Sequence, residues 1–235
     1  MKSISCIRGA VTATLLLLAS TASAASSAAQ SWLENYYQQP APDRFESAVF
    51  ELSRTGYFDQ QGKVPLAIGF LASVFAQHPD RADEWMSVSR VLPVAHQRIL
   101  ASALWYSNNE KGAAHLRALA RNASAPVRRD IEAMLARGQP NLREAEVRSP
   151  ESLNLQWGVF LATGDTEPVR NILAALGSSS NDQLAQDVRW SLARNAAQHQ
   201  RVLAICRDEL NRQPNAVRET LRAVINDTER AQPTS

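Results

Sequence analysis

Beyond Ala24, apolar residues recur at three- and four-residue intervals, and each run stops at a proline, a glycine or a patch of small polar residues. That is the period of amphipathic helices. No useful stretch alternates apolar and polar positions as a half-buried strand would. The pattern predicts an all-α chain of about eleven or twelve helices.

The first runs near Ala28 to Gln39 and stops before Pro40; the second follows Pro42, with Phe45, Val49 and Leu52 on one face and Gly56 as a left-handed cap. The third, Pro65 to Gln77, is apolar on nearly every side, which predicts burial all round. A fourth starts at Asp80, read as an N-terminal cap, and a fifth opens at Pro93 and passes Ile99, Leu100, Leu104 and Trp105. The sixth spans about Glu110 to Arg121, and the seventh has Ser124 as its cap and Gly138 beyond its end. A charged connector, Gln139 to Arg148, interrupts the series and marks a candidate subdivision near 139–149. Ser149-Pro150-Glu151 opens the eighth helix, which ends at Gly164, and Thr166-Glu167-Pro168 opens the ninth, which ends at Gly177. Three more follow: Asp182 to Gln198, His199 to Gln213, and Asn215 to about Glu229. Ala25 to Ala29 and residues 231–235 are expected to be loose ends.

Short connections between amphipathic helices make neighbours antiparallel. Pro126-Val127-Arg128, Pro168-Val169-Arg170 and Ala216-Val217-Arg218 each open a helix, at spacings of 42 and 48 residues. Each is followed by an apolar pair: Met134-Leu135, Ala175-Leu176 and Val224-Ile225. That period is near the ~40–47 residues of HEAT-type repeats. The expected architecture is therefore a single domain over 25–235, built as a right-handed, α-solenoid-like stack of antiparallel helical hairpins. The run from Leu153 to Asp165 (LNLQWGVFLATGD), with Ala103 to Asn108 before it (ALWYSN), resembles stretches of uncharacterised exported bacterial helical proteins. The resemblance covers about Leu100 to Leu176. It implies helical hairpins and carries no activity.

Composition changes the picture mainly at the N-terminus. Lys2 and Arg8, four consecutive leucines from Leu15 to Leu18, and Ala22-Ser23-Ala24 read as a cleavable export signal over residues 1–24. The full chain holds 25 basic and 23 acidic residues; the leader takes Lys2 and Arg8 and no acid, so a processed chain would have 23 of each and no net charge. Cys6 leaves too, so Cys206 stands alone, without a partner for an internal disulfide. Residues 25–89 hold 4 basic and 8 acidic side chains, and residues 90–235 hold 19 and 15. Ends of opposite charge could attract within or between chains.

Candidate chemistry is thin. His78, His96, His115 and His199 are scattered, with no HExxH motif. Asp80, Asp83 and Glu84 share a helix face and would suit a hard cation, but capping is the expected role. Cys206 lies on the Leu203–Leu210 stripe and reads as core. Glu46-Ser47 and Glu151-Ser152 match the Glu-Ser pair of lytic transglycosylases without the rest of that family's pattern. No Ser/His/Asp order, P-loop or dinucleotide fingerprint is present. Arg117, Arg121, Arg128 and Arg129 read as a solvated, partly paired surface near Asp130 and Glu132. Trp190 lies opposite the Leu184–Val188–Leu192 stripe and is expected to pack on a second neighbour.

The sequence thus predicts an exported protein, periplasmic in a Gram-negative cell or otherwise secreted. It would act as a non-enzymatic module for binding protein or peptide, with no catalytic, cofactor-binding or metal residues. Nucleic acid and stable membrane insertion after processing are not expected. Two alternatives stay open: a glycan-cleaving cell-wall enzyme using Glu46 or Glu151, and a subunit that self-associates through its oppositely charged ends.

Overall fold

The computed structural model describes residues 28–109, 111–178 and 182–231; the leader read over 1–24 lies outside them. Among the described residues there are twelve α-helices and no strand. They are α1 (28–35), α2 (Phe45–Arg54), α3 (Val64–Gln77), α4 (Ala82–Met86), α5 (Val94–Tyr106) and α6 (Gly112–Asn122). The series continues with α7 (Ala125–Arg137), α8 (Pro150–Thr163), α9 (Thr166–Ser178), α10 (Asp182–Gln198), α11 (Gln200–Glu209) and α12 (Asn215–Ala231).

Punctuation residues act where the pattern put them. Pro65 sits in the first turn of α3 and Pro126 in that of α7, where no intrahelical N–H is needed. Ser149 caps α8 in a reciprocal box with Ser152, and Gly164 ends that helix at φ 67°. Gly56 follows α2 at φ 74°. Other expectations need correction. The fourth helix is only Ala82–Met86, flanked by 3-10 turns at Pro79–Arg81 and Ser87–Val91, and Asp80 caps nothing: its carboxylate accepts from Lys111 Nζ at 3.2 Å. Ala29 is no loose end; it is buried in α1.

The helix that is apolar on every side lies at the centre. From Phe70 to Phe75 every residue of α3 is buried, and its most extensive contacts are with α8 and α5. The α3–α8 pairing joins segments far apart in sequence, unlike a stack in which each hairpin meets only its chain neighbours. Its closeness has a local cause. Helix backbones normally stay apart because side chains intervene, but here glycines face each other's helix. A Cβ added to Gly158 would run into the Leu66 carbonyl oxygen and lie 2.7 Å from the Phe70 nitrogen, and one added to Gly69 would run into the Leu155 carbonyl.

An aromatic cluster covers α3 on the N-terminal side. Phe45 stacks on Trp85 with ring centres 4.4 Å apart and meets Phe75 at 5.1 Å, while Trp32 meets Phe70 at 5.0 Å. On the other side α9, α10, α11 and α12 pack mutually. The buried apolar residues form one cluster from Ala29 to Ile225. The charged connector joins it through Leu142 and Val147, so the core runs through the candidate subdivision.

Cys206 lies in this core with no exposed surface, and burial pushes its thiol up to about 12 from an ordinary 9.0. The reactive species is the thiolate, so its population at neutral pH falls about a thousandfold. Iodoacetamide should leave the tryptic peptide Val202–Arg207 almost unlabelled in the folded protein and label it fully in guanidinium, as read by mass spectrometry. Rapid labelling of the folded protein would contradict this burial.

Candidate functional site

A cleft lined by both polar and apolar side chains opens where five segments converge. The last turns of α3 bring Ser73 and Gln77, and the end of α5 brings Tyr106 and Asn108. The connector brings Asn141 and Arg143, α8 brings Thr163, and the start of α9 brings Asp165 and Glu167. Its volume is about 410 Å³, within the ~300–1,000 Å³ usual for small-ligand sites.

Each wall is fixed by its own hydrogen bonds. Asn108 is the one non-glycine among the described residues with positive φ, 50°; it follows Ser107, the C-cap of α5, where a left-handed residue ends a helix. Asn is the side chain other than glycine that most readily takes this conformation. Gln77 Nε2 donates to the Ala162 carbonyl at 3.1 Å, tying the end of α3 to α8. Thr163 Oγ donates to Val159 O and accepts from the Asp165 N–H, so the α8–α9 corner is braced. Arg143 lies in a 3-10 turn, Leu142–Glu144, whose N-cap Asn141 accepts from the Arg143 N–H at 3.1 Å.

Hydrogen-bonding capacity is left over around this rim. Gln77 Oε1, Asn141 Nδ2 and both polar atoms of the Asn108 carboxamide have no partner among the described residues. Carboxamides that both donate and accept match the N–H and C=O of a peptide unit.

The residues singled out in the sequence lie elsewhere. Asp80, Asp83 and Glu84 do not converge: they pair separately with Lys111, His115 and Arg81. No group of three or more metal-ligating side chains occurs among the described residues. Glu46 accepts from Ser87 Oγ at 2.7 Å. The hydrogen bond from Ser149 holds the Glu151 carboxyl below its usual range, the opposite of what a general acid needs. Arg117, Arg121, Arg128 and Arg129 are exposed as expected, yet none has an ionic partner among the described residues; Asp130 pairs instead with Arg98 at 2.6 Å. Trp190 is a correction: it stays 65% exposed, with the Arg194 guanidinium over its ring at 5.4 Å.

The structure also assembles what the sequence did not suggest, a Ser–His–Asp chain. Ser53 Oγ lies 2.8 Å from His96 Nδ1, and His96 Nε2 lies 3.0 Å from Asp59 Oδ1. The carboxylate only accepts, so Nε2 donates to Asp59; in the neutral ring Nδ1 then accepts from the serine. The exposures run the wrong way for catalysis. The serine is buried at 9%, whereas the Asp59 side chain is 67% exposed. A nucleophile must meet its substrate; here the hydroxyl faces inward, and the chain ties α2, the turn Tyr57–Asp59 and α5 together.

A second buried polar group is Glu209 on α11, 3% exposed. It accepts from Arg170 at 2.8 Å, Arg212 at 2.9 Å and Gln213 at 3.3 Å. Burial pushes its carboxyl up, and these bonds outweigh that and hold it below the usual range. It locks α9 to α11.

No family model, curated protein or solved structure matches this chain. No helix among the described residues is long and apolar enough to cross a membrane.

Proposed function

We propose that this protein is an exported, non-enzymatic scaffold of stacked helical hairpins that holds a short extended peptide segment of a partner protein in the cleft between α3, α5, α8 and α9. The observation that carries the reading is the set of uncommitted carboxamide atoms on Gln77, Asn108 and Asn141 around a cavity of about 410 Å³. The hairpin reading is supported by the burial of Val127, Val169 and Val217 at equivalent points of three helix starts. Export rests on the leader sequence.

The test is a photo-crosslinking amino acid placed at Asn108 on the cleft rim, with a second version at exposed Gln186 on α10 as control. In envelope preparations, position 108 should give a discrete light-dependent adduct that position 186 does not give. Excess unlabelled protein of native sequence should suppress it. Identical adducts from both positions, or none from 108, would overturn the assignment of the cleft.

A further inference from the structure

Among the described residues, three of the four large apolar side chains left exposed are Phe50, Val91 and Val94. Scattered singly, such residues need no explanation. These three are gathered between two hydrogen-bond ties. At one tie, Ser87 Oγ in the 3-10 turn Ser87–Val91 donates to Glu46 Oε1 of α2 at 2.7 Å. At the other, Ser53 Oγ of α2 lies 2.8 Å from His96 Nδ1 of α5. Phe50 sits between the ties on α2, and Val91 and Val94 sit between them on the segment alongside. The ties therefore hold the three on one face.

The charges on this face match one another, yet they stay apart within the chain. Side chains three residues apart eclipse in a 3-10 helix, so Arg90 follows Ser87 on the side that meets α2. Phe50 follows Glu46 by one turn of α2. Arg90 is exposed and has no ionic or hydrogen-bonded partner among the described residues. Glu46 accepts from Ser87 with one oxygen and has no ionic partner there either. The surrounding charges are engaged: Glu51 with Arg54 at 2.5 Å, Asp59 with His96 at 3.0 Å and Asp130 with Arg98 at 2.6 Å.

We infer that a second copy of this chain docks on this face, across a two-fold axis that sets Arg90 of each copy against Glu46 of the other and covers Phe50, Val91 and Val94. A two-fold contact uses the same patch twice, so it needs a patch that complements itself. One free cation and one free carboxylate beside an apolar centre meet that need. Charge elsewhere does not oppose it: 25 basic residues against 23 acidic leave copies with little repulsion. The face shares no residue with the cleft, and the inference is independent of what the cleft holds. Three modest apolar side chains make a small contact, so the dimer is weak, forming at about 100 µM and dissociating by about 1 µM.

Sedimentation velocity across that concentration range tests this. The native protein should pass from monomer to dimer. Val91→Asp buries a charge at the contact and should weaken the dimer at least about tenfold, with an unchanged circular dichroism spectrum. Trp190→Ser removes the fourth exposed apolar side chain and should dimerise like the native protein. Arg90→Glu and Glu46→Arg each set like charges across the axis and should weaken the dimer about tenfold. The double variant carrying both swaps should recover it. That variant keeps the native net charge, so its recovery reports the pairing itself.

A protein that stays monomeric at every concentration would overturn the inference. So would a dimer that survives Val91→Asp, one that Trp190→Ser abolishes, or a double variant that dimerises no better than the single ones.

Discussion

Gly158→Ala should destabilise the protein by about 3 kcal/mol, the upper end for forcing atoms into a packed core. Alanine ordinarily favours a helix over glycine by about 1 kcal/mol, so any loss is measured against a gain. The loss arises because the atoms in the way are the Leu66 carbonyl oxygen and the Phe70 nitrogen, both backbone. A flexible side chain would swing aside; a helix backbone moves only as a unit. Gly69→Ala meets the Leu155 carbonyl and should behave alike. Gly62 is the control: nothing lies within 4 Å of its added Cβ. Urea unfolding midpoints read all three. A Gly158→Ala protein as stable as the Gly62→Ala protein would mean that α3 and α8 do not cross at these glycines.

Phe45→Ala should cost about 3–5 kcal/mol, as usual for removing a fully buried phenylalanine. The residue is fully buried between Trp85, Phe75 and Trp32, so the cavity opens among rigid rings that cannot collapse into it. Phe50, five residues along the same helix, is 42% exposed, and its removal should change stability by under about 0.5 kcal/mol. Denaturant titration followed by tryptophan emission separates the two. Equal losses would mean that Phe45 is not the centre of the aromatic cluster.

Much of the fold was legible because helix ends are local chemistry. Pro65, Pro126, Ser149 and Gly164 act through their own backbone and near neighbours, so their effects can be read without knowing the rest of the molecule. The apolar pattern of α3 also carried its message alone: a helix with no polar face has to be buried. Cys206 followed its stripe into the core for the same reason. Trp190 did not follow the expectation. Off-stripe position says only that a residue faces away from its own helix's core side; whether a second neighbour covers it is not a local property.

The cleft was beyond reach from the sequence. Its walls come from five segments, and Asn108, Asn141 and Arg143 look like ordinary loop residues until those segments meet. Some signals were present. Gly69 and Gly158 each sit mid-helix, where glycine is costly, which hints at a close approach without naming the partner. Gln156 breaks an otherwise apolar face of α8, a sign that something polar is bonded there. The helix ends at Pro65, Pro126, Ser149 and Gly164, the burial of α3 and the inward thiol were set by chain chemistry alone, because each depends on residues within a turn or two. The α3–α8 crossing, the Ser53–His96–Asp59 tie and the exposed guanidinium of Arg143 were decided only by the tertiary fold, because each depends on atoms that lie far away along the chain.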